Sequence, residues 1–185
     1  MEGHHPTKVL VTARDIIALW VARMIMSSLY CVDEIPFHDV YIYATILAKD
    51  GSRMSKSKGN GVDPMALMGK YGADAMRFNL LTLITTNQDV KFDANVDKKT
   101  HELIDSPRTE QARSFVTKIW NASRFVQMNL EGYVPGAPKA ETAEDAWMLS
   151  RLARIVYEAT DELECYKYGD YARGLQSFFW NEVCD

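Results

Sequence analysis

Apolar positions recur along this chain with two different periods, and the change of period divides it. Near the start, Lys8-Val-Leu-Val-Thr12 is a short β-rich apolar run that predicts a strand buried on both faces. Over 16–30 the spacing changes. Ile16, Leu19, Trp20, Met24, Met26 and Leu29 include the i, i+3, i+4 recurrence of a helix packed on a sheet, and Asp15 stands where an N-cap belongs. A polar turn with Asp33, Glu34 and Pro36 leads to a second β-rich run, Val40-Tyr-Ile-Tyr-Ala-Thr-Ile-Leu-Ala48. Strand, helix, strand predicts the right-handed βαβ unit of an open parallel sheet, whose ligands gather at the carboxyl ends of the strands.

The second run empties into Gly51-Ser-Arg-Met-Ser-Lys-Ser-Lys-Gly-Asn60. Three cations (Arg53, Lys56, Lys58) alternate with three hydroxyls (Ser52, Ser55, Ser57), and no carboxylate neutralises them. Such a stretch reads as a mobile, donor-rich loop suited to a polyanion, most simply the phosphates of a nucleotide. The plainer alternative is a solvated basic surface loop. Beyond it, Asp63-Pro64 marks a helix start and Gly72 its stop; a further helix is predicted over 74–85, a short strand at 90–92, and a loop or ragged helix over 97–107.

From Arg108 only long helical patterns follow. They run over 109–130, 142–168 and from Asp170 onward, with a connector rich in proline and glycine over 131–142. The expected fold class is therefore α/β followed by all-α. The expected domains are the C-terminal half of a Rossmann-like nucleotide-binding fold over 1–97 and a partial helix bundle over 108–185. The aromatic residues of the second part read as bundle core rather than as a base-stacking surface. Phe178, Phe179 and Trp180 lie close to the last residue, and the first strand opens close to the first, so both ends read as cuts in a longer chain.

Composition narrows the chemistry. The net charge of −4 supplies no global basic field, so any nucleic-acid contact rests on local patches. Cys31, Cys165 and Cys184 are too far apart for a zinc motif or a disulfide framework, which suits a reducing, cytoplasmic compartment. Arg23 interrupts the longest apolar run, so no membrane span is expected, and no signal peptide opens the chain. No metal ligands are assigned.

Arg53-Met-Ser-Lys-Ser57 resembles the Lys-Met-Ser-Lys-Ser signature of class I aminoacyl-tRNA synthetases. The likeness extends through Lys58-Gly-Asn60, Asp63-Pro64, Lys70-Tyr-Gly-Ala-Asp74 and Arg77-Phe78, as in the branch acting on valine, isoleucine and leucine. Three further stretches resemble the valine-specific family: Asp15-Ile-Ile-Ala-Leu-Trp-Val-Ala-Arg-Met24, Lys118-Ile-Trp-Asn-Ala-Ser-Arg-Phe125 and Phe178-Phe-Trp-Asn-Glu-Val-Cys-Asp185.

The resemblance implies an enzyme that activates valine with ATP, accompanied by Mg2+, and transfers it to tRNA(Val). It implies that Lys56 and Arg53 stabilise charge on the phosphates and that Ser55 and Ser57 add hydroxyl donors. It implies that Asp15 holds the nucleotide ribose and that Ile16 and Trp20 line the valine pocket. As bare residues, Asp15 reads equally as an N-cap, and Ile16 and Trp20 as helix core. Two positions depart from the family pattern: Arg53 stands for a lysine and Ala13 for a glycine near adenosine. A hydrophobic valine pocket cannot firmly reject a hydroxyl-bearing isostere, so the resemblance also implies a separate editing domain. Neither that domain nor the histidine segment of the ATP site is found here, and this piece alone is expected to be inactive. An isoleucine or leucine enzyme and a non-catalytic tRNA-binding module stay open as alternatives.

Overall fold

A computed structural model describes residues 4–85, 88–97 and 99–184, excepting the Lys56 side chain. In chain order the elements are β1 (Thr7–Ala13), α1 (Ala22–Val32), β2 (Phe37–Tyr43), β3 (Ile46–Leu47), α2 (Pro64–Tyr71), α3 (Ala73–Leu83), β4 (Val90–Lys91), β5 (Asn95–Val96), β6 (Leu103–Asp105), α4 (Pro107–Met128), α5 (Ala143–Glu164) and α6 (Tyr168–Phe178). They fall into two compact units, one built from Met1–Thr45 with Thr86–Val90, the other from Ile46–Thr85 with Lys91–Asp185.

The first unit is the predicted βαβ. Strands β1 and β2 pair in parallel from Thr7 opposite Phe37 to Ala13 opposite Tyr43. The helix entry differs from expectation. A 3-10 turn over Arg14–Ile16 and a π turn over Ile17–Val21 precede α1, and the cap position is Ala13, with no side-chain cap bond. Asp15 thus sits in the first turn, not at the N-cap. The strand predicted as one run over 40–48 breaks at Thr45. Its amide is taken by Asp89 Oδ1 at 3.1 Å and its carbonyl by the Val90 amide at 2.9 Å, so neither continues a ladder. Strand β1 is not buried on both faces: only Thr12 within it is fully covered. Two strands and one helix offer too little surface to cover each other.

Helix α1 ends where Asp33 adopts a left-handed conformation, φ 55°, and returns its amide to the Leu29 carbonyl. By length and composition alone, the helical run Arg14–Val32 passes as a bilayer span, with a mean hydropathy of 1.5. Arg23 in its middle and its place between two paired strands favour a helix that covers a sheet.

The second unit has a continuous core. Leu67, Tyr71, Ala75, Phe92, Ala94 and Ala112 are buried together, with Met54, Val62, Phe78 and Leu103 packed on them. Helix α2 begins and ends as the local chemistry requires. Asp63 accepts the Met65 amide at 2.9 Å, Pro64 takes the first turn, and Gly72 at φ 92° closes it. The segment expected to be a loop or ragged helix is an antiparallel hairpin instead, β5 against β6, with a bulge beside Val96. Strands of two or three residues carry no readable periodicity, and tertiary bonds hold this one. The Ser106 hydroxyl donates to the Asp93 carbonyl at 2.8 Å, and the Ser106 amide donates to the Tyr71 hydroxyl at 2.9 Å.

That serine belongs to a buried chain of hydrogen bonds. Because Ser106 Oγ gives its proton to Asp93, it must accept from Thr109 Oγ1 at 2.7 Å, which in turn accepts from Asn79 Nδ2 at 2.9 Å. Ser106 and Thr109 are fully buried, and among the described residues no buried side-chain nitrogen or oxygen lacks a hydrogen-bond partner, as a buried network requires. Phe115 of α4 meets Phe78 of α3 at 4.8 Å and Phe179 edge-on at 6.0 Å. Helix α6 starts tight against the end of α3. A Cβ on Gly169 would lie 2.0 Å from the Ile84 carbonyl oxygen, and Arg173 donates to the carbonyls of Thr82 and Ile84. Helix α5 opens with a full capping box between Thr142 and Asp145, and Arg151 grips Glu182 through two bonds of 2.6 Å.

Candidate functional site

The predicted site residues divide between the two units. In the first unit, Asp15 and Ile16 occupy the 3-10 turn at the carboxyl end of β1, and Trp20 lies in the π turn that follows. Asp15 is exposed, and Ile16 and Trp20 are 37% and 64% exposed. These two are therefore not core of their own unit. A π turn re-aims side chains relative to a regular helix and recurs at functional sites.

Sequence reasoning passed over Asp89 here. Its Oδ2 accepts from Arg14 at 2.9 Å and its Oδ1 from the Thr45 amide, which ties together the carboxyl ends of the two parallel strands. The Thr45 amide, and then the Arg14 guanidinium, hold the Asp89 carboxyl below the usual carboxylate range.

In the second unit lies the basic loop, whose backbone is bonded at several points. Its entry is a tight turn: the Ala48 amide donates to the Ser52 carbonyl at 2.9 Å, Gly51 adopts φ 83°, and Leu47 bridges Arg53. Asp50 accepts the Ser52 amide at 2.8 Å, and that bond chiefly holds the carboxyl below its ordinary range. Met54 is anchored in the core cluster at one end of the loop and Val62 at the other. Between them, Lys56–Lys58 forms one 3-10 turn. Ser55 Oγ lies 3.3 Å from Ser57 Oγ and accepts the Lys58 amide at 3.3 Å. Arg53, Ser57 and Lys58 are exposed. The Lys56 side chain, assigned the leading catalytic role above, lies outside the described residues.

Behind the loop is a cleft of about 510 Å3, lined among others by Lys49, Asp50, Lys58, Asn60, Asn95 and His101. Lys49 is already engaged there, by Asn95 at 2.7 Å and Asp93 at 3.4 Å. Two of the lining residues, Asn60 and His101, bond directly to the loop backbone, and sequence reasoning gave neither of them a role. Asn60 was visible in the extended motif; His101, 42 positions from its partner, carried no local signal. Among the described residues no group of three His, Cys, Asp or Glu side chains gathers as a metal site.

The loop exposes Arg53, Ser57 and Lys58 while Met54 and Val62 pack on the core, and a loop whose backbone is already bonded can receive a polyanion without first having to fold. The family model for class I tRNA synthetases (I, L, M and V) matches residues 1–93, and the chain belongs to that family. The model of the anticodon-binding domain of tRNA ligases matches residues 145–185.

Within the class, the chain is similar to valine–tRNA ligases. It is 44% identical over 187 residues to that of Carboxydothermus hydrogenoformans, covering 100% of this chain and 20% of the relative. It is 43% identical to that of Thermosynechococcus vestitus, covering 98% and 20%. The chain thus spans about a fifth of the length of these relatives. A crystal structure of the ternary complex of Agrobacterium radiobacter K84 agnB2 LeuRS, tRNA and LeuAMS superimposes with a TM-score of 0.79 at 19% identity, covering 93% of this chain and 21% of that one. At that identity the likeness speaks for the fold: half of a Rossmann-like domain followed by helices.

Proposed function

We propose that this chain is part of a valine–tRNA ligase. It would supply the second half of the catalytic nucleotide fold, over 1–97, and the opening of the anticodon-binding helices, over 108–185. The whole enzyme would act in the cytoplasm, activating L-valine with ATP to valyl-adenylate and passing the valyl group to tRNA(Val). The observation that carries this reading is the basic loop, with Arg53 and Ser57 exposed, in a chain 44% identical to a valine–tRNA ligase along its whole length.

As the valine carboxylate attacks the α-phosphorus and pyrophosphate leaves, negative charge grows on the phosphate oxygens. Lys56, with Arg53 beside it in sequence, would stabilise that charge, and Ser55 and Ser57 would donate hydrogen bonds to it. Asp15 would accept the ribose hydroxyls. Ile16 and Trp20 would form the apolar wall for the isopropyl group. Mg2+ would arrive with the triphosphate as part of the substrate.

The test is valine-dependent ATP–pyrophosphate exchange by the full-length protein. Valine should be preferred over isoleucine and leucine. Lys56→Ala should slow exchange on the order of a hundredfold, about 3 kcal/mol of transition-state stabilisation. A preference for isoleucine, or full activity in Lys56→Ala, would refute the assignment. The 185-residue chain alone should give no exchange.

A further inference from the structure

The geometry points to Asn60 and His101 as positioning residues that clip the basic loop from behind and hold it prefolded for the triphosphate. This role rests on the ligase reading above. Asn60 uses both ends of its carboxamide. Its oxygen accepts the Ser55 amide at 2.9 Å, and its nitrogen donates to Ser52 Oγ at 2.9 Å and to the Arg53 carbonyl at 3.2 Å. One side chain thereby closes the loop across its base, where Arg53 begins the cationic stretch. With the Lys58 amide held by Ser55 Oγ, the amide just before the 3-10 turn and that of its last residue both have fixed partners.

His101 acts from the hairpin between β5 and β6. Its Nδ1 lies 2.9 Å from the Gly59 carbonyl oxygen. A carbonyl can only accept, so Nδ1 carries the proton and donates. The ring also rests on the glycine itself: a Cβ on Gly59 would fall 2.3 Å from His101 Cε1. Both residues are left-handed, Gly59 at φ 61° and His101 at φ 59°. For glycine that conformation is free; for histidine it is uncommon and carries strain. The hairpin tip holds it there. Asp97 accepts the amides of Lys99 at 2.7 Å and Thr100 at 2.8 Å, and the His101 amide returns to the Asp97 carbonyl at 2.9 Å. A loop ordered in advance loses less conformational freedom when it closes on phosphate.

Glycine at position 101 removes the ring while suiting the backbone. Asparagine restores an amide donor near the Nδ1 position and tolerates the left-handed region. In the full-length ligase, His101→Gly should raise KM for ATP about fivefold, the worth of one hydrogen bond, with a smaller change in kcat and in KM for valine. His101→Asn should recover most of that loss. Asn60→Ala, which removes three bonds, should raise KM for ATP about tenfold or more. Independently, in this chain the Ser55 amide should exchange with solvent faster in His101→Gly and Asn60→Ala, but not in His101→Asn. Unchanged Ser55 exchange in His101→Gly, no rescue by asparagine, or KM for valine rising in step with that for ATP would overturn the proposal. A wild-type enzyme without valine-dependent exchange would instead sink the ligase reading and the ATP role with it, and Ser55 exchange would still decide the clip.

Discussion

The two units solve the problem of burial differently. In the βαβ unit, Thr12, Val21 and Phe37 are buried, while Met26 is 70% exposed and Tyr30 91%. The other unit encloses Leu67, Ala75 and Phe92 to 3% exposure or less and satisfies a buried run of hydroxyls and an amide at its centre. A helix on two strands has few neighbours to lean on, whereas helices α2, α3 and α4 surround a shared interior. Intrinsic stability should therefore reside in the unit that carries the basic loop. The candidate ribose and side-chain positions, Asp15, Ile16 and Trp20, sit on the unit with less to hold it.

The largest expected effect contrasts the two directly. Leu67→Ala should lower the stability of the chain by about 2–5 kcal/mol, because it removes a fully enclosed side chain. Met26→Ala should stay within about 0.5 kcal/mol, as a surface change does. Urea midpoints followed by circular dichroism would measure both, and equal losses would break the contrast.

A smaller effect tests the polar centre. Thr109→Val keeps the shape but leaves the Asn79 amide and the Ser106 hydroxyl each short of a partner, a loss of about 1–3 kcal/mol in the same assay.

The smallest is local and pH-dependent. The Thr100 amide, then the Lys99 amide, hold the Asp97 carboxyl below its ordinary range. Its contribution is therefore complete above the unfolded value of about 3.9 and fades as the pH falls through the lower folded value. As the pH falls below about 3.9, the Lys99 and Thr100 amide resonances should shift towards those of an open turn while α3 stays folded. Simultaneous loss of α3 would mean that the hairpin is no separate element.

Legibility in the sequence followed the range of the interactions. Asp63, Pro64 and Gly72 could be read as helix ends because a cap acts within three or four residues. The parallel pairing of β1 with β2 followed from strand–helix–strand order. The loop or ragged helix expected over 97–107 proved to hold part of a hairpin, since strands of two and three residues are too short to show a repeated alternation and the turn is set by Asp97 accepting amides two and three residues on. The basic loop was legible as chemistry but not as structure. Its composition showed the donors, whereas the bonds that shape its backbone come from Asn60 within the motif and from His101, whose side chain reaches it only after the fold is made. The π turn at Ile17–Val21 left no mark in the apolar spacing.

The Asn79–Thr109–Ser106 chain has a mechanical consequence. It fixes the first turn of α4, and that helix, 22 residues long, extends about 33 Å at 1.5 Å per residue. A tilt of about five degrees at its root would sweep the far tip through about 3 Å, the length of a hydrogen bond. Three small side chains at the root therefore help to set the aim of a long arm, and the position of its far tip depends on how firmly that root is held.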